Sequence, residues 1–213
     1  MRKYEKILVL LLLGSLWGAL ELFGRDLLRA GGVPQKSALL FGLGIIILYA
    51  SKRLVDFPGS VVVMALIAGL FKTASSSFYP CQIAAVMING IVFDITYSAF
   101  KGGLDSSPIY RAIAAPVIVY ASYTIFALVA TFVLREGSWA SDGWAGIRTY
   151  LLSGAVSASL ISIVTINLGY YLGNAIRPLA LLRIMGMRVV MFRIVSAALV
   201  VAVWIAGQIY MIK

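Results

Sequence analysis

The stretch KTASSSFYPCQIAAVMINGIVFD, residues Lys72 to Asp94, leaves one apolar run, crosses a short Ser-rich turn and enters another. It holds the lone cysteine, Cys81, and a lysine at the end of a hydrophobic run, Lys72. It also places an asparagine and an aspartate, Asn89 and Asp94, inside a hydrophobic run. Polar groups at such depth in apolar sequence are costly, so they point to a site. Two apolar runs joined by a few residues also decide the architecture: helices that cross a bilayer and turn straight back.

Composition agrees. The chain has 213 residues, of which 62% are hydrophobic and 12% charged. Its mean hydropathy is +0.98. A soluble domain is about half apolar and a quarter charged, so water cannot cover this chain. It reads as an integral membrane protein. The net charge of +10 comes from Lys and Arg at the ends of apolar runs. There they meet headgroups and fix orientation. With no RNP-like or helix-turn-helix signature, nucleic acid is not expected as a partner. Histidine is absent. That removes His-based acid–base chemistry, His-ligated zinc and any Ser-His-Asp arrangement. One cysteine excludes an intrachain disulfide and a cysteine-rich metal site.

A transmembrane helix needs about 20 apolar residues. Seven segments follow: Glu5–Phe23, Ser37–Ser51, Pro58–Ser75, Cys81–Phe100, Ile109–Leu134, Arg148–Ile176 and Val189–Ile212. The basic start MRKYEK and the apolar run after it lack an A-x-A-like cleavage site, so the first segment reads as a retained helix. Five of the six prolines fall at segment ends; Pro116 lies inside the fifth, where a kink is expected. The fold class is therefore all-α, a polytopic bundle of six to seven membrane helices in one domain, 1–213. Within it, 177–213 is a basic inner stretch plus a seventh apolar segment whose crossing the sequence leaves open.

With the N-terminus cytoplasmic, eleven Lys and Arg fall inside and seven outside. This bias favours that orientation, in the cytoplasmic (inner or plasma) membrane. The seven outer cations then call for a reason. The outer loops are 24–36, 75–80 and 135–147, rich in Gly, Ser, Trp and charge, as binding loops tend to be.

Candidate site residues gather near these loops. Cys81 is either a ligand for a soft metal or a small buried filler. Lys72 is either a counter-ion for an anionic ligand or a snorkelling end residue. Glu21 and Arg25 are four apart and share a helix face, as an internal pair or as pocket-lining charge. Asn89 serves interhelical bonding or a ligand, and Asp94 a structural pair or an ion site. Trp139 and Trp144 are interfacial anchors or a lid over a planar ligand. Tyr79 in the Ser-rich turn and Tyr123 in segment five complete the expected substrate-binding set. Gly14, Ser15, Gly18 and Ala19 form a small-residue seam, for internal packing or for a separate membrane subunit.

Six close-set helices, a cytoplasmic N-terminus, this seam in helix one and long outer loops after helices one, three and five resemble the S components. These are the membrane-embedded substrate-binding subunits of energy-coupling factor transporters. The likeness covers 1–176; a seventh segment follows, and helix one carries G-x-x-x-G where the family commonly has A-x-x-x-A. The resemblance implies uptake of a vitamin or metal-related micronutrient through the outer loops and the outer halves of helices four to six. It also implies docking through Gly14, Ser15, Gly18 and Ala19 to a transmembrane subunit that carries ATPase subunits. A corrinoid-binding branch implies Cys81 as a cobalt ligand, with the corrinoid as substrate and no intrinsic cofactor.

No paired-carboxylate motif, metal-ligand spacing or phosphate loop is present in the sequence, so no catalytic residues are assigned and an enzyme is not expected. Two other classes stay open: a non-catalytic scaffold, since the layout also resembles the cell-shape protein family, and lipid chemistry at Asp94 and Asn89.

Overall fold

The computed structural model describes residues 3–73, 80–176 and 189–212. Every element there is helical. The helices are α1 (Lys3–Ala30), α2 (Lys36–Leu54), α3 (Ser60–Thr73), α4 (Pro80–Ser106), α5 (Pro108–Leu128), α6 (Ser138–Tyr150), α7 (Val156–Ile176) and α8 (Val189–Ile212). Two π-helical turns, Val129–Leu134 and Leu151–Ala155, extend α5 and link α6 to α7. Six helical stretches are long and apolar enough to cross a membrane. The protein is a membrane-embedded helical bundle. The exterior carries Leu27, Ile95, Ile109, Ile113, Val133 and Leu160 in exposed positions, while Glu5, Lys52, Lys72, Asp94 and Arg111 are buried. That distribution suits a hydrocarbon solvent.

Several boundaries differ from the expected ones. α1 does not stop at Phe23 but runs to Ala30, so Arg25 and Arg29 stand on a helix rather than in a loop. The last turns of α1 hold charged residues that are good helix formers, and nothing in them breaks the backbone. α2 has 19 residues and extends past both bounds of the expected segment Ser37–Ser51. Residues 138–147, expected as loop, belong to α6, which is interrupted by the positive φ of Gly143. α4 continues through the expected connection to Ser106, bending at Phe100 (φ −119°). α5 runs through Pro116, and Ser107 caps its start by accepting from the Tyr110 N–H. The basic stretch 177–188 lies outside the described residues.

α3 has only 14 residues, about 21 Å, and falls short of a hydrocarbon core of about 30 Å. It is held tightly between α1 and α4. A Cβ on Gly14 would sit 2.8 Å from the Ile67 Cβ, and one on Gly90 would sit 2.4 Å from the Ala65 Cβ. Only glycine allows these backbones to approach so closely. The same device joins α2 to α7, where a Cβ on Gly169 would meet the Ile46 carbonyl at 2.9 Å.

The start of α3 is fixed by Asp94. Its carboxylate accepts from the backbone N–H groups of Gly59 (2.7 Å) and Val61 (3.3 Å). It also pairs with Lys52 at 2.8 Å. Lys52 in turn donates to the Phe57 carbonyl. Asp94 thus answers to the structural reading: it caps a helix N-terminus, where negative charge is favoured, and neutralises a buried cation. Nearby, Arg53 pairs with Asp105, and Arg111 donates to the Asn167 side chain and the Leu104 carbonyl while stacking on Tyr170 at 3.7 Å.

Replacing Asp94 with Asn strands Lys52, which is 1% exposed, without a counter-charge. The expected loss is about 3–5 kcal/mol, read as a lowered unfolding temperature in detergent. An unchanged unfolding temperature would show that the pair contributes nothing to stability.

Candidate functional site

At the end of the bundle where α1 passes to α2, the helices part around a cavity of about 520 Å³. That lies within the range of small-molecule sites, about 300–1,000 Å³. α1 supplies Glu21, Arg25 and Arg29; α2 supplies Lys36, Ser37, Leu40 and Phe41. α4 contributes Cys81, Gln82, Ala85 and Asn89 along one face. α5 adds Ser122, Tyr123 and Phe126, and α6 adds Trp139 and Tyr150.

The aromatic wall is ordered by mutual packing. Tyr123 and Tyr150 stack at 4.8 Å with planes 16° apart. Trp139 meets Tyr150 edge-on at 5.0 Å and Phe126 at 5.5 Å. Phe41 closes edge-on against Tyr123. Tyr150 is the last residue of α6, immediately before the second π turn, and Phe126 stands three residues before the first. Such turns insert a residue and redirect the side chains around them, and they recur at functional sites.

Charge is divided unevenly. Glu21 lines the cavity, but its carboxylate is already paired with Lys72 at 3.1 Å. Lys72 is 3% exposed and stands behind Glu21, not in the lining. The expected Glu21–Arg25 pair is thus replaced by Glu21–Lys72, because α3 runs close along α1 and brings the ammonium to the carboxylate. Arg25, Arg29 and Lys36 line the cavity and make no ion pair with any described residue. Glu136 accepts from the Cys81 backbone N–H at 2.9 Å, which brings a second carboxylate next to the lining.

Of the residues expected from sequence, the fold brings Cys81, Asn89, Glu21, Arg25, Trp139 and Tyr123 to one cavity. Lys72 supports it from behind. Tyr79 lies outside the described residues. Trp144 is 68% exposed, packs on Phe132 and does not line the cavity. The small-residue seam is used within the chain. Gly14 and Gly18 face α3, and the Ser15 hydroxyl accepts from the indole N–H of Trp204 on α8 at 3.0 Å.

Lys36, Ser122, Phe126 and Tyr150 were not assigned from sequence, while Arg29 belongs with Glu21 and Arg25 to the charged cluster at the end of segment one. The surplus of outer cations was the signal for Lys36 and Arg29. Tyr150 carried none, since its place depends on the π turn. Among the described residues no three His, Cys, Asp or Glu gather as a metal site. Cys81 is the one soft donor in the cavity lining. No protein-family model, curated protein or solved structure matches the chain.

Lys72→Met leaves Glu21 charged and buried; the expected cost is about 3–5 kcal/mol in unfolding experiments. Glu21→Gln combined with Lys72→Met should recover most of it. A double variant as unstable as the single one would mean that Lys72 acts through packing rather than charge.

Proposed function

We propose that this protein is a membrane-embedded binding subunit that takes up a small micronutrient from the outer side of the cytoplasmic membrane. The observation that carries the reading is the cavity itself. A volume of about 520 Å³ opens between the helices, and polar and aromatic side chains from five of them converge on it, whereas two other grooves lie along the face of α5 or of α6 and the π turn after it. Convergent polar groups in an aromatic pocket are how proteins orient small ligands. The cavity opens at the end that the Lys and Arg bias reads as external.

Energy for uptake would come from a partner or an ion gradient, since the sequence has no nucleotide-binding motif. Gly14, Ser15 and Gly18 are occupied by α3 and α8. A coupling subunit could dock through Ser15 only if α8 moved away, and through Gly14 and Gly18 only if α3 did.

The test is binding by purified protein in lipid nanodiscs, screened against vitamins and related micronutrients by thermal stabilisation. A hit should lose about ten-fold or more in affinity with Trp139→Ala, by loss of an aromatic contact worth one to a few kcal/mol. Trp144→Ala should bind as the parent does. Silence across the whole panel would sink the uptake reading.

A corrinoid is a second reading, favoured by the presence of Cys81 in the lining. A macrocycle of that size exceeds the drug-sized ligands that such a volume encloses, so it would sit across the mouth. For a cobalt–thiolate bond, the spectral shift of added cobalamin should vanish in Cys81→Ala. A shift that persists in the variant removes Cys81 as a ligand.

A further inference from the structure

The cavity has three zones of different chemistry. At the rim, Arg25, Arg29 and Lys36 present three cations. None has an ion-pair partner among the described residues, and the single carboxylate in the lining is held by Lys72. Along the wall lie the stacked Tyr123 and Tyr150 with Trp139 edge-on. At the floor, the Ser122 hydroxyl is fully buried and has no hydrogen-bond partner among the described residues, although it belongs to the lining. The Asn89 side-chain amide, one helix away, lines the same floor and makes no hydrogen bond among the described residues.

Each zone carries an unmet physical requirement. Ser122 is one of six buried hydroxyls without a hydrogen-bond partner among the described residues, and of the six it is the one in the cavity lining, where a ligand could supply the missing bond. Three like charges share one mouth, Arg29 exposed and Arg25 and Lys36 half-buried, and an anion between them would be attracted by all three. An aromatic wall offers flat apolar surface. The separation of the zones sets the order in which a ligand must meet them.

We propose that the cavity takes a small, flat organic anion. Its carboxylate or phosphate head is held by Arg25, Arg29 and Lys36. Its ring system lies along Tyr123, Tyr150 and Trp139. A hydrogen-bonding group at its far end reaches Ser122 and Asn89. This assignment rests on the binding reading above and narrows its substrate to one chemical class. The guanidinium groups suit a planar oxyanion, to which they donate in pairs.

The experiment compares matched acids and amides on the full-length protein in phosphatidylcholine nanodiscs. Indole-3-acetate is set against indole-3-acetamide, and 2-naphthoate against 2-naphthamide. The acids should bind about ten-fold tighter or more, as expected when a charged hydrogen bond is gained. The preference should weaken with added salt. It should shrink in Arg25→Gln, Arg29→Gln and Lys36→Gln, whose unliganded unfolding temperatures should stay near the parent's because none of the three is paired. Ser122→Ala should weaken the indole acid and amide alike, through the lost bond to the indole N–H, and should leave the naphthalene pair, which has no polar group at that end, unchanged.

Equal binding of acid and amide would overturn the anionic class while leaving a working pocket. No binding of either member would overturn the class and count against the pocket too. Repeating the titration in phosphatidylglycerol nanodiscs separates the two sources of an anion. If the anionic lipid abolishes acid binding, the rim belongs to lipid headgroups and the solute assignment falls. If the acid preference survives, the solute assignment stands.

Discussion

The arrangement depends on one carboxylate. Asp94 caps the start of α3 and holds Lys52, so a 14-residue helix that cannot span alone is fixed at its first turn to α2 and α4. From there α3 runs in close contact with α1, across Gly14 and Gly18, to its far end. That far end delivers Lys72 to Glu21. The lining is already net positive, three cations against one carboxylate, and the far end of α3 adds to this by pairing Glu21 from behind. In a hydrocarbon surround every such polar group needs an internal answer, and the two ion pairs supply it at opposite ends of the same short helix.

The helices were legible because an apolar run of bilayer length can satisfy its backbone in lipid only by coiling. Their ends were not. Gly24, Arg25 and Asp26 read as a loop because charge ends a hydrophobic run, yet charge does not end a helix. The sequence SWASDGW looked like a binding loop for its Gly, Ser and Trp; it is helical on both sides of Gly143. Cys81 and Asn89 stand out in the sequence because each is polar in an apolar run, and Trp139 because it lies in a Gly- and Ser-rich stretch; the fold places all three in one cavity lining. The Lys72–Glu21 pair was not legible, since its members stand 51 residues apart and only helix register brings them together. The tyrosine stack was hidden for a similar reason: an extra residue in a π turn decides which way Tyr150 points.

The two ends of the bundle use their polar residues differently. At the Lys52 end, Asp94, Arg53, Asp105, Arg111 and Asn167 are bound in a closed network with tyrosine rings packed over it. At the Arg25 end the polar groups surround open volume. A protein that binds from one face needs this asymmetry, with one end sealed and the other ready to receive.

The brevity of α3 also matters for the lipids beside it. Val63, Leu66 and Leu70 face outward along a wall about 21 Å tall, a third less than the hydrocarbon it meets. Acyl chains along this flank must compress or tilt to keep headgroups wet, while those around the longer α1, α4 and α5 need not. A bilayer that meets this flank is therefore expected to thin beside α3 and to keep its ordinary depth around the longer helices.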